Sequence, residues 1–397
     1  MRLSDSRLTL VVGSVVFLDT MFYAVISPLL PQLSHELHLS KLSAGVMTAG
    51  YPAGTLAASL PGGVLAVRRG PRFAVAVGVS LLVASTAAFG LLHSAAGLDL
   101  ARFVEGVGGA CSWAGGLAWL AAGTAPERRG AAMGAALGTA IAGSLLGPAV
   151  GALASAVGRP VLFCLLAGLA SLLLVPVLAL ADERRSSAQP VADVLRVLRR
   201  PMVAGAMWLM VLPAIVSGAY NVLVPLQLHH LGAGAGLIGA TFLIGAGLEA
   251  AIASAAGRMS DRHGRTALLR GALLALAAAI ACFTLPGVSL VLAGLVVVTV
   301  AALGVFWAPV MALLADVAER HGIDQGHAAA LMNLAWAAGQ LVGAAGAGAA
   351  AKSFGDLAPT LAAAAVCLIT LGWLRGSRLS TAAANVTDAV QNATEVV

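Results

Sequence analysis

Charged side chains are what this 397-residue sequence has least of: Asp, Glu, Lys and Arg make up 10% of it, against 59% hydrophobic residues. A water-facing surface calls for about 25% charged residues, so a soluble domain is excluded. A membrane protein is the class that remains, in keeping with a mean hydropathy of +0.94. Cysteine is also sparse. Cys111, Cys164, Cys282 and Cys367 all lie inside apolar segments with no metal-ligand spacing, which excludes a disulfide framework and a metal site and leaves them as small packing residues. There is no G-x-x-x-x-G-K-[ST] loop and no soluble domain to carry one, which excludes an ATP-driven pump. No nucleophile–base or metal constellation stands out, so the chain is not read as an enzyme and no cofactor is expected.

What is present is a succession of long apolar runs. A bilayer core takes about 20 apolar residues per helix. By that measure six spans, 8–33, 43–66, 72–92, 98–122, 129–156 and 160–181, precede the longest polar interruption, and six follow it, 202–228, 236–257, 266–285, 288–315, 325–351 and 357–374. The 47 glycines and 16 prolines, unfavourable in soluble helices, suit spans whose neighbours satisfy freed backbone groups and pack against small residues. The first run is too long for a signal-peptide core and lacks a convincing cleavage site, so it is expected to stay as the first span.

The expected organisation is an all-α membrane protein of twelve transmembrane helices in two pseudo-symmetric six-helix bundles. The N-terminal bundle covers 1–181, a cytoplasmic linker 182–201, the C-terminal bundle 202–376 and a disordered cytoplasmic tail 377–397. The net charge of +6 reflects topology rather than nucleic-acid binding, because the basic residues sit in short clusters between apolar runs. With the N-terminus inside, Arg2, Arg7, Arg68, Arg69, Arg72, Arg128, Arg129, the linker arginines, Arg258, Arg262, Arg265, Arg320, Arg375 and Arg378 all face the cytoplasm. Lys41, Arg159 and Lys352 fall outside, and Arg102 falls within a span. This is the positive-inside pattern, with both termini cytoplasmic. The Asn385 and Asn392 sequons of the tail would then face away from glycosylation machinery and are read as chance.

The halves repeat. Tyr23 and Pro28 answer Tyr220 and Pro225; Gly63 and Gly70 answer Gly257 and Gly264; Gly130, Gly143 and Gly147 answer Gly326, Gly339 and Gly343. Bundles duplicated about an axis along the membrane normal place a site near the midplane, between the halves.

Three motifs refine this picture. The segment Gly257-Arg-Met-Ser-Asp261-Arg262-His-Gly264-Arg265 resembles the G-x-L-x-D-R-x-G-R signature of the major facilitator superfamily. Its counterpart, Gly63-Val-Leu-Ala-Val67-Arg68-Arg69-Gly70-Pro-Arg72, keeps the glycines and basic residues but has Val67 where the family has Asp. Acting as gating loops, the two would close one face through an acidic group at a helix start and arginines paired across the halves. The blander reading is a pair of positive-inside loops with turn glycines. Arg102-Phe-Val-Glu105-Gly106-Val-Gly108-Gly109 resembles the family's R-x-x-Q-G-x-G pattern, with Glu105 at the usual Gln. Gly143-Ser-Leu-Leu-Gly147-Pro148-Ala-Val-Gly151 resembles the helix 5 element of the twelve-span drug:proton antiporters, with Ala152 at the last Gly. Three glycines four apart give one flat helix face, and Pro148 removes a backbone donor.

The candidate coupling residues are Asp19, Arg102 and Glu105. Asp19 lies about 16 Å along the first helix, near mid-bilayer; a carboxylate there is costly to keep ionised, which suits a proton carrier or a counter-ion for a cationic substrate. Arg102 and Glu105, one turn apart, neutralise each other and lower the cost of burying either. Weaker midplane candidates for a substrate cavity are Tyr23, Trp113, Asn221, Glu249, Asn333, Trp336 and Gln340; each has a packing role as its plain alternative. His229 and His230 sit at an outer helix end and read as solvated.

The reading that results is a proton-coupled exporter of small apolar or cationic organic molecules working by alternating access. The proton gradient is its energy source, the lipid bilayer its surroundings and a monomer the default state. The alternatives are a symporter importing a small metabolite and a non-transporting sensor on the same scaffold.

Overall fold

A backbone in hydrocarbon has no water to bond to, so a spanning segment that closes no barrel must be helical. The computed structural model describes residues 3–181, 200–263, 265–321 and 325–376; within these, the side chains of 3–5, 126–127, 254, 257–258, 260–263, 265–266, 308, 315, 319 and 325–330 are not described. All the regular structure among the described residues is α-helical, and no strand occurs. The helices are α1 (Leu3–Ala24), α2 (Ile26–Glu36), α3 (Lys41–Arg69), α4 (Pro71–Leu91), α5 (Ala95–Gly123), α6 (Pro126–Val157), α7 (Arg159–Ser171) and α8 (Leu174–Ala179). After the expected linker come α9 (Pro201–His230), α10 (Ala235–His263), α11 (Arg265–Ala281), α12 (Ser289–Arg320), α13 (Gln325–Phe354) and α14 (Leu357–Gly376). Most of that linker (182–199), the tail 377–397 and Gly264 lie outside the described residues.

Every expected span falls on helix, but two are broken. The first divides into α1 and α2 at Val25. Pro28 has no N–H to offer the carbonyl of Ala24, four residues back, and its ring crowds that oxygen. The sixth divides into α7 and α8 at Leu172–Leu173, where Pro176 stands in the same relation to Leu172. Taking each of these pairs as continuous, nine stretches among the described residues are long and apolar enough to cross a membrane. Helices α3 and α5 are not among the nine although each has 29 residues. Glycine, proline and hydroxyl residues dilute α3, and Asp99, Arg102 and Glu105 dilute α5. Large apolar side chains such as Leu10, Leu100, Val161 and Leu290 are exposed, the outer surface expected of a protein embedded in lipid.

The first signature segment is not a loop. Residues 63–69 are the end of α3, and the turn is reduced to Gly70, at φ 100° and ψ 151°, a backbone that an L side chain adopts only under strain. Pro71 then opens α4, where its missing N–H costs nothing. In the second segment α10 likewise runs to His263 and α11 starts at Arg265.

The chain packs as two compact units, one formed by 1–188 with 221–243 and the other by 189–220 with 244–397, so the division passes through α9 and α10. In the first unit α3 and α5 meet backbone to backbone: a Cβ at Gly54 would fall on the carbonyl of Phe103, and one at Gly106 on that of Tyr51. Helix α6 lies on α1 in the same manner, since a Cβ at Gly143 would strike the carbonyl of Phe17 and one at Gly147 would come 2.6 Å from that of Met21. An apolar cluster of Val12, Val16, Val75, Val79, Trp119 and Leu120 ties α1, α4 and α5 together. The second unit repeats the glycine contact. Gly339 and Gly343 of α13 press on the carbonyls of Val211 and Ile215 in α9. Of the glycines that mark the repeat, Gly143 and Gly147 and their counterparts Gly339 and Gly343 therefore mark the same helix–helix contact in each unit.

Candidate functional site

Asp19 is fully buried in α1. Its carboxylate accepts hydrogen bonds from the Tyr51 hydroxyl, 2.9 Å from both Oδ1 and Oδ2, and from the Trp113 indole Nε1, 2.8 Å from Oδ2. Tyr51 comes from α3 and Trp113 from α5, so their close packing through Gly54 and Gly106 sets the donors around the acid. Gly109 completes the cradle: a Cβ there would lie 2.5 Å from Asp19 Oδ1 and 2.7 Å from the Tyr51 hydroxyl. Any side chain at 109 would displace one of them.

Arg102 is 1% exposed and is bound on several sides. Its Nη1 donates to Glu105 Oε2 at 2.9 Å, to Oε1 at 3.0 Å and to the carbonyl of Phe22 at 3.0 Å, while Nη2 donates to the carbonyl of Tyr23 at 3.1 Å. The two carbonyls belong to the last turn of α1, just before its break. A cation at a helix C-terminus is favourable, and Arg102 fills acceptors at the end of α1. The guanidinium also lies over the Tyr51 ring, 5.4 Å from its centroid, an attractive cation–π geometry. Tyr51 thereby touches both charged groups: its hydroxyl holds Asp19 and its ring face carries Arg102.

Tyr23 extends the cluster. Its ring lies 5.0 Å from that of Tyr51 at an interplanar angle of 48°, and its hydroxyl accepts from Asn221 Nδ2 at 3.0 Å. Helix α6 holds the other flank of α1: Gly151 packs on the carbonyl of Val25, and Thr20 donates to the carbonyl of Ala140 at 2.8 Å. Pro148 of the same motif meets Gly239 of α10, whose Cβ would come 3.0 Å from the Pro148 carbonyl. Along the outer side of α1 and α6 runs a groove of about 570 Å³, lined by Thr9, Gly13, Phe17, Ala135, Thr139 and Leu169 among others. Asp19 is not among its lining residues.

Of the expected candidates, Asp19, Arg102, Glu105, Tyr23, Trp113 and Asn221 are thus joined by direct contacts. Glu249, Asn333, Trp336 and Gln340 belong to the other unit. There Gln340 is 3% exposed and donates to the Ser217 hydroxyl at 3.1 Å, which makes it a bond between α13 and α9. The backbone of Glu249 lies against Gly304 of α12, where a Cβ would come 2.7 Å from the Glu249 carbonyl oxygen. Arg68 is exposed, and Arg72, expected to pair across the halves, donates to the carbonyls of Leu178 and Leu180, both at 3.2 Å. It closes the C-terminal end of α8, whose free carbonyls need donors. Nothing lies within 4 Å of a Cβ at Gly63. The side chains of Asp261, Arg262 and Arg265 and the surroundings of Gly257 lie outside what is described, as does Gly264 altogether.

Tyr51 is the site residue that the sequence analysis did not select. The chain has only three tyrosines, and a phenol in the middle of an apolar run is a signal of the same kind as the Tyr23 it stacks on.

A duplicated helical membrane protein with ionisable groups buried in its spans has the makings of a secondary transporter. The model of the Major Facilitator Superfamily matches residues 12–232 and, a second time, residues 206–391. The chain belongs to that family, and it is a multi-pass membrane transporter of small molecules. No curated protein sequence matches it. Among solved structures it is similar to a D-xylose-proton symporter, with 17% identity, TM-score 0.74, and 94% of this chain and 97% of that one covered. It is also similar to a bacterial homologue of the human lysosomal transporter Spinster in an inward-facing, occupied conformation, with 13% identity, TM-score 0.78 and coverage of 94% and 97%. The human organic anion transporter MFSD10 matches with 17% identity, TM-score 0.69 and coverage of 93% and 99%. At these identities the likeness is one of fold.

Proposed function

We propose that the protein is a proton-coupled transporter that exports small apolar or cationic organic molecules by alternating access, with Asp19 as the proton carrier. The observation that carries this reading is the full burial of Asp19 between two neutral donors, Tyr51 and Trp113. Neither donor neutralises the charge, so protonation of the carboxyl changes the electrostatics of the whole cluster. Arg102, tied to the end of α1 and to Glu105, is placed to respond: a change at Asp19 acts on the Tyr51 hydroxyl, and the Tyr51 ring carries the guanidinium. In this reading Arg102 and Glu105 are positioning partners of the coupling step, and Tyr23 and Asn221 border the path of the substrate.

The glycine face of α6 against α1 supports the antiporter reading, because it is the element by which the sequence resembles the drug:proton antiporters and it packs on Phe17, Thr20 and Met21 of the helix that carries Asp19. Substrate and proton then compete at one carboxyl. A bound cation replaces the proton on the way out, and the proton gradient supplies the energy with no bound cofactor. The protein is placed in the cell membrane as a monomer with both termini cytoplasmic. The test is made in liposomes with an imposed pH gradient and a pH-sensitive dye inside, against lipophilic cations, neutral drugs, sugars and amino acids. Counter-movement of protons with one class supports export. Movement of protons and solute in the same direction replaces it with import by symport, and no response to any class from folded protein removes the proton-coupled reading for these substrates.

A further inference from the structure

Tyr23 is held from three directions. Its carbonyl accepts from Arg102 Nη2 at 3.1 Å, its ring lies 5.0 Å from that of Tyr51, and its hydroxyl accepts from Asn221 Nδ2 at 3.0 Å. The first two holds run back to Asp19, since the Tyr51 hydroxyl donates to that carboxylate and the Tyr51 ring carries the Arg102 guanidinium. The third runs to α9. There the division between the two units falls between Tyr220 and Asn221. Tyr220 stays with the second unit, its hydroxyl 3.2 Å from Thr299 Oγ1 and its ring 5.5 Å from that of Phe283. Asn221, the next residue, bonds Tyr23 and belongs to the first unit. Tyr23 also stands two residues before Val25, where α1 gives way to α2, so the backbone beside it is already interrupted.

We propose that the Tyr23–Asn221 hydrogen bond is a latch on the C-terminal part of α9 whose state follows the proton on Asp19, with Tyr23 as the positioning residue that joins the two. The latch rests on the reading of Asp19 as the proton carrier and adds the element that responds to it. An ionised Asp19 accepts from the Tyr51 hydroxyl at both oxygens, 2.9 Å from each. Protonation turns one of those oxygens into an O–H donor, so the phenol keeps at most one acceptor there and its ring shifts. Tyr23 and Arg102 both rest on that ring, and Arg102 in turn holds the Tyr23 carbonyl. The bond to Asn221 joins two uncharged, half-buried side chains; such bonds are weaker than those to charged groups, which suits a contact that opens and closes. The charged side chains along this path are Asp19 on α1 and Arg102 and Glu105 on α5. Helix α3 faces it with Tyr51, α6 has no charged residue beyond Arg129, and α9 has no Asp, Glu, Lys or Arg. Glu105 is paired with Arg102, whereas the donors to Asp19 are neutral, so a proton on Asp19 is the one that changes the charge of the cluster.

The experiment is amide hydrogen exchange of the purified full-length protein on either side of the pH step that protonates Asp19, read over residues 221–235. The carbonyl stretch of the protonated Asp19 carboxyl is followed alongside by infrared difference spectroscopy. In wild type, exchange of 221–235, corrected for the intrinsic effect of pH, should be about fivefold faster on the acid side, the equivalent of one neutral hydrogen bond. Asp19→Asn, neutral at every pH, should hold the faster rate throughout. Tyr23→Phe keeps the ring on Tyr51, and Asn221→Leu keeps the bulk of the amide. Each should give the faster rate at both pH values while the Asp19 band titrates as in wild type, and the double variant should go no further than either. A pH response of 221–235 that survives both Tyr23→Phe and Asn221→Leu, or no response in wild type, overturns the latch. A response that survives Asp19→Asn overturns its tie to Asp19. The expected pattern from a protein that moves no protons in liposomes upholds the latch while the proton-coupled reading for those substrates falls.

Discussion

At the scale of the residue, one phenol does two tasks. Tyr51 donates to both oxygens of Asp19 and presents its ring face to Arg102. A hydrogen bond to a charged group contributes about 1.5–3 kcal/mol, so Tyr51→Phe should slow proton-coupled transport by about tenfold or more and displace its pH profile, while Tyr23→Phe leaves the Asp19 donors in place. A Tyr51→Phe protein with wild-type rate and profile would remove the phenol from the coupling chain. The Arg102–Glu105 pair allows a sharper stability test. Removing one member of a buried pair costs about 3–5 kcal/mol because the other is left uncompensated. Arg102→Met and Glu105→Leu should each lower the melting temperature markedly, and the double variant should lose less than the two losses added. Strict additivity would show that the pair is not coupled. Asp19, Arg102 and Glu105 could be selected from the sequence because charges are so rare within its apolar runs. Tyr51 could not be given its role in the same way. Its contact with Asp19 depends on how α3 crosses α5, and that crossing is set by Gly54 and Gly106, two of 47 glycines.

At the scale of the element, glycines that look alike in sequence separate by what they face. On α6, Gly143 meets the carbonyl of Phe17, whereas nothing lies within 4 Å of a Cβ at Gly138. Gly143→Ala should therefore lower thermal stability by about 1–3 kcal/mol through overpacking. Gly138→Ala should be neutral or gain up to about 1 kcal/mol from helix propensity. Melting curves of the two purified variants decide it, and equal effects would contradict the packing of α6 on α1. The helix 5 motif was legible because its spacing gives one face of a helix. The break between α1 and α2 was not taken from the sequence, although Pro28 was visible. Pro52, Pro61, Pro148 and Pro309 lie within unbroken helices, so in this chain a proline alone does not announce a break. The signature segments were read as loops because arginines and glycines cluster there. Hydrogen bonding carries the helices almost to the end of each, and a single glycine at positive φ makes the first turn.

At the scale of the whole molecule, the duplicated arrangement was read from one Tyr and Pro pair and two sets of glycines, and the packing of α6 on α1 and of α13 on α9 gives the same contact in both units. The topology proposed from the arginines predicts that single cysteines introduced at Ser187 and Ser380, in a variant free of the native cysteines, react with a membrane-impermeant maleimide only from the cytoplasmic side. Labelling of either from outside in intact cells would invert or break that topology. The central claim is that Asp19 couples protons to transport, and it is tested most directly by proton flux in liposomes under an imposed pH gradient, comparing wild type with Asp19→Asn. The account predicts that an active substrate class moves protons in wild type, that Asp19→Asn abolishes this movement, and that the variant stays folded. Undiminished proton movement in Asp19→Asn would contradict it.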